Sequence, residues 1–463
     1  MEQYIKAPLN KSLPTVMHID LNSCFAIIEQ QANRLLRGRP VGVAAYDTPR
    51  GFVLAASYEA KRKGVKLGVN VEQARALAPG IVIMTPDPAK YREAHRLFKE
   101  LMLEYTPDVA PKSIDEFVLN LEHSPALRKN LPNQVEPGKS SQLETHNQAM
   151  LEIGYDIKQK IKERLGEWVT VNIGIGTNRF LAKYAAGFDK PDGMTLIDHT
   201  NLKSKYENMK LVDLPGINVR YRARLRAAGI YTPLDFLNAD MNTLKKQVFK
   251  GIVGYYWYLR LRGHEIDNVE FERKRIGHQY ALKDKTTDMF ALEKLLLKLC
   301  EKTGRRMRNN SLYATGIHLY MGFISDDPEH DGPASFENMY NIKSWSHGEK
   351  VAHRLYSTSD IYEAAKRLLH GAEISNRVKI MSVHVYNLND WDPVQTSLFD
   401  QNDTWGRKIG NSPYRAQDSR KRISDAVDGI NDRYGEYVIT SAMMMEMQGT
   451  ILDRIAFGQV RDV

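Results

Sequence analysis

The stretch Val109-Ala-Pro-Lys-Ser-Ile-Asp-Glu-Phe-Val-Leu-Asn-Leu121 places two adjacent carboxylates, Asp115 and Glu116, between apolar residues. Its pattern predicts a β-strand. Burial and mutual repulsion both disfavour the ionisation of such a pair. Two interpretations stay open at this point. The pair is either an exposed acidic pair at a strand end, or it is neutralised by a hard divalent metal, which prefers oxygen ligands.

A third acid, Asp20, lies in matching surroundings near the N-terminus. It ends the apolar run Thr15-Val-Met-His-Ile-Asp20, and the following residues fit a helix, so Asp20 lies at a strand-to-helix junction. Two strands that each carry an acid can bring three carboxylates around one or two metal ions, as two-metal phosphoryl transfer requires. Strand alternation places Asp115 and Glu116 on opposite faces. We therefore expect Glu116 to lie where the strand ends or twists.

The composition sets wide limits on the function. The 463 residues allow three or four domains. A formal net charge of +9 modestly favours phosphate-bearing partners. The two cysteines, Cys24 and Cys300, form neither a disulfide framework nor a zinc pattern, which is typical of a reducing compartment. No apolar run approaches the roughly 18 residues of a membrane span, so we expect no membrane partner and a cytoplasmic protein.

Five motifs together resemble those of the Y-family translesion DNA polymerases, in the family's order and with similar spacing. The similarity spans about Val16 to Leu388, and it is most evident for the UmuC-like SOS-mutagenesis branch in its Gram-positive form. The motifs are Asp20-Leu-Asn-Ser-Cys-Phe25, Tyr58-Glu-Ala-Lys-Arg-Lys-Gly-Val65, Ser113-Ile-Asp-Glu116, Asn178-Arg-Phe-Leu-Ala-Lys183 and Lys190-Pro-Asp-Gly193.

The resemblance implies an α+β multidomain fold, a right-hand polymerase with a C-terminal tail. The implied domains are a palm (1–30 and 85–195), small fingers (31–84), a helical helix-hairpin-helix thumb (196–265), an α/β little finger (275–390) and the tail (391–463). The residue pattern of the implied little finger predicts helices at Phe290–Arg308 and Ile361–His370, and strands at Tyr313–Met321 and Lys379–Asn387.

The resemblance also implies how the carboxylates act. Asp20, Asp115 and Glu116 would be catalytic and would bind two Mg²⁺ ions, with the carbonyl of Leu21 as a further ligand.

The nucleotide-binding residues follow from the same resemblance. Phe25 would be the steric gate against ribose, and Tyr58 and Lys190 would contact the triphosphate. Lys61 stands where the family has a phosphate-binding arginine, with Arg62 beside it, and either could make that contact. Taken singly, these residues are also compatible with a core phenylalanine, an interfacial tyrosine and solvated charges.

Several basic segments are candidates for holding DNA. The segment around Gly216, Asn218 and Arg220 resembles a helix-hairpin-helix, which directs backbone N–H groups at a phosphate. Asn218 replaces the usual second glycine and tolerates left-handed geometry. An ordinary helical turn with solvated arginines is the alternative. Arg305, Arg306, Arg308, Lys274 and Arg275 are further candidates, or simply solvated charges.

The tail carries a candidate tether, Gln395-Thr-Ser-Leu-Phe399, which resembles the bacterial sliding-clamp-binding motif. Gln395, Leu398 and Phe399 would be its anchors, because no regular element is predicted there to bury the apolar pair. A chance match of five residues is the alternative. The remaining tail, Asp418–Val463, has a helical and apolar pattern, and would dock either in cis or on another protein.

Together these features predict an error-prone, template-directed DNA polymerase that performs translesion synthesis during DNA repair and SOS mutagenesis. Its partners would be primer–template DNA, dNTPs and the sliding clamp, with SOS accessory proteins or a recombinase filament as further candidates, and it would act in the cytoplasm at the nucleoid. The main alternative is a non-catalytic, polymerase-like adaptor in a mutagenesis complex. A nucleotide cyclase and a nuclease are weaker alternatives, because neither needs the thumb, the gate or the clamp motif.

Overall fold

The structure is a computed structural model, and it describes residues 7–131, 142–207, 209–269, 273–324, 343–391, 413–435 and 438–447. Gln395, Leu398 and Phe399 lie outside the described residues. The chain divides into two compact units between residues 270 and 271. Both units mix helices and strands, which confirms the predicted α+β multidomain class.

The first unit contains eight strands and twelve α-helices among its described residues. The strands are β1 Val16–Leu21, β2 Val41–Ala44, β3 Val53–Ala56, β4 Val82–Met84, β5 Val109–Pro111, β6 Glu116–Asn120, β7 Val171–Gly176 and β8 Met194–Ile197. The helices are α1 Cys24–Ala32, α2 Tyr58–Arg62, α3 Val71–Leu77, α4 Pro88–Leu103, α5 Pro125–Asn130, α6 Gln142–Arg164, α7 Arg179–Ala185, α8 Leu202–Glu207, α9 Val219–Ala227, α10 Pro233–Asn238, α11 Met241–Thr243 and α12 Val253–Arg260.

A five-stranded sheet in the order β5-β6-β1-β7-β8 forms the centre of this unit. Alternating residues of its strands face two different cores. Met17 and Ile19 pack into a large core with α4 and α6, whereas Val16 and Val118 pack against Ala182 of α7. By the same alternation, His18, Asp20 and Glu116 point to the α7 side of the sheet.

Helix α7 lies very close to β7 because two glycines of that strand carry no side chain. A Cβ on Gly174 would stand 2.0 Å from the Ala182 carbonyl oxygen, and one on Gly176 would stand 2.8 Å from the Ala182 nitrogen. Asn178 caps the helix by accepting a hydrogen bond of 2.7 Å from the Leu181 N–H. This packing fixes the height of α7 above the sheet, and with it the position of Lys183.

Two smaller substructures complete the first unit. The sheet β3-β2-β4 encloses a small core with α2 and α3. Helices α8–α12 enclose an aromatic core around Phe236 and Trp257. Asn178 joins these helices to α7, since its side-chain amide donates to the carbonyls of Arg260 and His264 at 3.0 and 2.9 Å.

The second unit is a four-stranded antiparallel sheet with helices packed against it, in the order β11-β10-β12-β9. The predicted helices and strands of this region are confirmed. The elements are β9 Arg275–Thr286, α13 Met289–Arg308, β10 Leu312–Phe323, β11 Ser344–Leu355, α14 Thr358–His370, β12 Val378–Asp390 and α15 Pro413–Tyr434.

The tail packs on the second unit rather than standing apart from it. Helix α15 is tied to α13 by a bidentate pair, in which Arg308 donates to Asp428 at 2.6 and 2.9 Å. Beyond it, a 3₁₀ turn at Ala442–Met447 buries Met444 in the core of this unit. The sequence left open whether the tail docks in cis, and for α15 and this turn it does. None of the described helices is both long and apolar enough to cross a bilayer.

Candidate active site

The stretch 109–121 is a β-hairpin, so the prediction of a single strand was wrong. Strand β5 ends at Pro111, and the chain turns back so that Val109 pairs with Leu119 and Pro111 with Phe117. The Lys112 N–H closes the turn by donating to the Glu116 carbonyl at 2.9 Å. Asp115 therefore belongs to the turn, where strand alternation does not apply. Glu116 is the first residue of β6, which confirms the expectation that it lies at a strand end.

The strand register brings the three predicted carboxylates together. Asp20 of β1 lies directly opposite Glu116 of β6. The Asp115 carbonyl accepts a hydrogen bond of 2.8 Å from the Leu21 N–H, which fixes the turn beside the end of β1. Directly opposed residues of an antiparallel pair have Cβ atoms about 4.5–5.5 Å apart. Residues almost a hundred positions apart in the sequence thus form one acidic cluster.

Each carboxylate of this cluster faces a donor of its own. Lys190 forms an ion pair with Asp20, and Lys183 donates to Glu116 at 2.7 Å. The hydroxyl of Ser113 donates to Asp115 at 2.5 Å. The sequence singled out Lys190 for the triphosphate, but it gave Lys183 no role.

The environment shifts the three carboxyl pKa values in different directions. Burial, together with the nearby Asp20 and Glu116 charges, raises the pKa of Asp115 to about 6, although the Ser113 hydrogen bond opposes the shift. Burial also raises the pKa of Asp20, although the Lys190 ammonium opposes it. Burial alone would raise the pKa of Glu116, but the Lys183 ammonium, which also donates a hydrogen bond to it, helps to hold this pKa below its ordinary value. Asp115 is therefore the member for which ionisation is hardest.

His18 is a second neighbour of the cluster that sequence reasoning missed. It precedes Asp20 by two residues on the same face of β1, and its Nε2 atom lies 3.9 Å from Glu116. Burial lowers its pKa to about 3, so the imidazole is neutral at pH 7. The i, i+2 spacing from Asp20 was the available signal.

The donor set fits a hard divalent cation, although the carboxylates do not converge as they stand. Among the described residues, no three His, Cys, Asp or Glu side chains form a group that could hold an ion. Their oxygens are instead directed to Lys190, Lys183 and Ser113. The three acidic side chains nevertheless offer only oxygen donors, which such a cation prefers. A bound cation would also reduce the repulsion between their like charges, which contributes to the raised pKa of Asp115. Metal binding requires these carboxylates to turn away from their present donors.

Of the predicted triphosphate-binding residues, Tyr58 and Lys61 lie next to this cluster, whereas Arg62 is exposed. The Tyr58 hydroxyl donates to Asn22 at 3.2 Å, and burial raises the pKa of Tyr58 to about 12. Lys61 donates to Ser23 at 2.7 Å and stands 4.8 Å over the Tyr58 ring. Arg62 is exposed, and no side-chain partner is found for it in the described part of the chain. Lys61 is therefore better placed than Arg62 to meet a phosphate.

Phe25 lies in the core of the first unit. Its side chain is fully buried, and its ring stacks on Tyr91 with 4.4 Å between centroids. This packing matches the core interpretation of its apolar helix, and the function as a gate stays a prediction. A groove of about 300 Å³ has a lining that includes Ser23, Tyr58 and Asp192.

The segment that the sequence proposed for DNA binding contains a tight turn before α9. Gly216 has φ +91°, which only glycine adopts readily. Asn218 has φ −96° and is the N-cap of α9, accepting hydrogen bonds from the Arg220 and Tyr221 N–H groups at 3.1 Å. Asparagine caps a helix at this position, and its tolerance of left-handed geometry is not used.

Two of the arginines proposed for DNA in the second unit pair with the tail. Arg308 is buried against Asp428 and also donates to the Tyr356 carbonyl at 3.0 Å, so it is not a solvated contact residue. Arg305 forms an ion pair with Asp432. Arg275 remains exposed at the start of β9. Arg305 and Arg308, which the sequence suggested as DNA contacts, therefore form ion pairs with the tail.

Comparisons with known proteins give this geometry its context. Residues 19–187 match the impB/mucB/samB family, and residues 273–398 match the C-terminal domain of the same family. The chain is 30% identical to DNA polymerase IV of Moorella thermoacetica, over 94% of this chain and 98% of that protein. It is 28% identical to DNA polymerase IV of Pelotomaculum thermopropionicum, over 95% and 97% of the two chains.

Solved structures show the same fold. A Y-family DNA polymerase chimera of Dbh and Dpo4 superposes with a TM-score of 0.64 at 23% identity, covering 81% of this chain and 99% of that one. An insertion ternary complex of Dbh DNA polymerase gives a TM-score of 0.51 at the same identity and coverage. The full-length match to polymerases does not favour a non-catalytic adaptor. The chain belongs to the impB/mucB/samB family and is a Y-family translesion DNA polymerase.

Proposed function

We propose that the chain performs error-prone, template-directed DNA synthesis at the cluster of Asp20, Asp115 and Glu116, using two Mg²⁺ ions. The observation that carries this proposal is the placement of Asp20 directly opposite Glu116, with the Asp115 turn held against the end of β1. Three carboxylates so close together repel one another, so ionising all of them costs free energy unless cations are bound nearby. Palm-type nucleotidyl transfer is the use that agrees with the family.

The residues of the site divide the work of the reaction. In two-metal nucleotidyl transfer, bound ions activate the attacking 3′-hydroxyl and stabilise the charge on the transferring phosphate. Asp20, Asp115, Glu116 and the Leu21 carbonyl would hold those ions. The primer hydroxyl is the nucleophile and pyrophosphate leaves, so the protein supplies positioning and charge rather than a covalent partner.

Incoming dNTP would be bound by the cations beside the cluster. Lys190 and Lys61 approach from different elements and offer positive charge to the triphosphate. Tyr58 offers a hydroxyl that stays protonated at neutral pH, since burial raises its pKa to about 12. Phe25 would exclude ribonucleotides, and Arg62 is the weaker phosphate candidate because of its exposed position.

Primer–template DNA would be gripped without regard to sequence. At the hairpin, Gly216 gives the tight turn and Asn218 orients the first turn of α9, with the Arg220 side chain beside it. A helix N-terminus and arginines favour a backbone phosphate.

Primer extension by the purified chain tests the proposed site. Asp20→Asn keeps the side-chain shape but removes a charge, so we expect extension to fall on the order of 10³-fold or more. Asp108→Asn is the matched control, because Asp108 is exposed just before the same hairpin and outside the cluster. Equal extension by Asp20→Asn and wild type would refute the site. No extension by a folded wild-type chain with DNA and Mg²⁺ would revive the adaptor alternative.

The tail would tether the enzyme to the sliding clamp through Gln395, Leu398 and Phe399, which lie outside the described residues. The support is the sequence motif and its place after the second unit's last strand, β12. Phe399→Ala should weaken clamp binding about tenfold or more and leave untethered synthesis unchanged. Ser397→Ala is the control within the same pentapeptide, and unchanged clamp affinity in Phe399→Ala would exclude the tether. Action at the nucleoid, with SOS accessory proteins or a recombinase filament, would follow from such recruitment.

A further inference from the structure

Lys183 belongs to the motif Asn178–Lys183. Of the five motifs that resemble those of the Y-family polymerases, it is the one to which the proposed reaction assigns no role. The motif forms the start of α7, and the position of that helix is unusually well determined. Gly174 admits the backbone of Ala182 into near contact with β7, and Asn178 anchors the helix start to the carbonyls of Arg260 and His264. The backbone that carries Lys183 therefore has little freedom to move.

From this fixed backbone the Lys183 ammonium reaches one of the three catalytic carboxylates. It donates to Glu116 at 2.7 Å, and its side chain is 44% exposed while that of Glu116 is 23% exposed. His18 lies behind the carboxylate, 3.9 Å from the same oxygen. Glu116 is thus held between a neutral imidazole and an accessible cation.

We propose that Lys183 is a positioning residue that holds Glu116 in the place of a divalent ion between turnovers. The role rests on the proposed metal function of Glu116. A lysine suits it because a single ammonium on a flexible stem can release the carboxylate to an incoming ion, whereas an arginine fork would bind it in two places. Lys190 makes the corresponding contact with Asp20, but it is already assigned to the triphosphate.

The exchange has thermodynamic consequences that are independent of catalysis. Without metal, Lys183 offsets the repulsion between Glu116 and its neighbouring carboxylates, so it stabilises the metal-free fold. With metal, the same ammonium competes for Glu116 and repels the ion. Removing the charge should therefore lower stability in EDTA and raise affinity for metal. A purely structural lysine would change the first quantity and not the second.

Lys183→Met tests this role, with Lys162→Met as the matched control. Lys162 is 45% exposed and pairs with Asp192 at 3.3 Å, away from the catalytic carboxylates. Calorimetric titration with Mn²⁺ should show two- to fivefold tighter binding for Lys183→Met and no change for Lys162→Met. In EDTA, Lys183→Met should unfold about 1–3 °C below wild type.

Steady-state extension gives a second readout. Because Glu116 loses its hold in Lys183→Met, kcat should fall about tenfold while KM for dNTP stays near the wild-type value. Lys183→Arg keeps the charge and can hold Glu116 in two places, so its Mn²⁺ affinity should not exceed that of the wild type.

The outcomes separate this role from the function on which it rests. Equal Mn²⁺ affinity in wild type, Lys183→Met and Lys162→Met overturns the role of Lys183 and leaves the metal site standing. Absence of Mn²⁺ binding by the wild-type chain overturns the metal site, and the role of Lys183 falls with it. Weaker binding by Lys183→Met also overturns the role, because it would make the lysine a support of the site rather than a competitor for Glu116.

Discussion

The molecule holds acidic residues with basic ones in two contrasting ways. In the first unit, Lys190 and Lys183 face Asp20 and Glu116 with side chains that are 39% and 44% exposed. In the second unit, Arg308 faces Asp428 with side chains that are only 4% and 13% exposed. The first arrangement is open to solvent and ligands, and the second is sealed between α13 and α15.

The chemistry of the two cations matches this difference. Arg308 uses its planar fork to donate twice to Asp428 and once more to the Tyr356 carbonyl. Such bidentate pairs are specific and hard to exchange. Each lysine offers a single flexible point charge, so a metal ion can take its place beside the carboxylate, and a phosphate can take the place of the carboxylate beside the lysine. We infer that the sealed pair fastens the tail, whereas the open pairs are kept ready for ligands.

The largest effect is expected from breaking the sealed pair. Arg308→Ala leaves Asp428 buried without its partner, so the free energy of unfolding of the second unit should fall by about 3–5 kcal/mol. Hydrogen exchange of the α13 amides in increasing urea measures it unit by unit.

Two further variants sharpen this measurement. Arg367→Ala removes a half-exposed pair with Glu349 in the same unit, and it should cost less than about 1 kcal/mol. The double variant Arg308→Met with Asp428→Leu should return to within about 1 kcal/mol of wild type, because neither charge is then left alone. A loss from Arg308→Ala no greater than that from Arg367→Ala would contradict the assignment of a sealed pair.

The open cluster predicts a smaller effect of the opposite sign. Because burial raises the native pKa of Asp115 to about 6, its charged form opposes folding above that pH. Asp115→Asn should therefore raise the free energy of unfolding in EDTA by roughly 1 kcal/mol at pH 7.5, allowing for its partial exposure.

The sign of this effect fixes its pH dependence. The penalty in wild type is complete above the native pKa and disappears as the pH falls through 6 toward the ordinary carboxyl value, since the native state then takes up a proton. Urea unfolding of wild type and Asp115→Asn should thus differ by about half as much at pH 5 and converge only near pH 4, close to the ordinary carboxyl pKa. A variant that is less stable than wild type at pH 7.5 would show that the carboxylate is already well neutralised without metal.

The same contrast explains how far the sequence could lead. Helical and strand periodicity predicted α13, α14, β10 and β12 correctly, because each element is long and repeats its apolar spacing. The hairpin at 109–121 was predicted as one strand, because apolar residues lie on both sides of the turn. Pro111, which lacks an N–H for the ladder, was the local sign of a break.

Partners that meet only in the fold could not be predicted. Lys183 lies 67 residues from Glu116, and Arg308 lies 120 residues from Asp428. No local pattern links such positions, so the arginine was predicted to be either a DNA contact or a solvated charge, and the lysine received no role. The carboxylates themselves were found because their motifs are short and specific, and the register of β1 with β6 then gave them their geometry.

The smallest predicted effect, the response to salt, discriminates between the two arrangements most directly. At roughly 1 M NaCl the Debye length is about 3 Å, so half-exposed pairs are strongly screened and buried pairs are not. The stability lost in Lys183→Met, below about 1 kcal/mol in dilute buffer with EDTA, should fall by more than half at that salt concentration. The loss in Arg308→Ala should stay nearly constant. Equal responses of the two variants to salt would mean that the ion pairs of Asp20 and Glu116 are as shielded from solvent as the Arg308–Asp428 pair. Replacement of Lys183 by a metal ion would then be too costly to occur at each turnover.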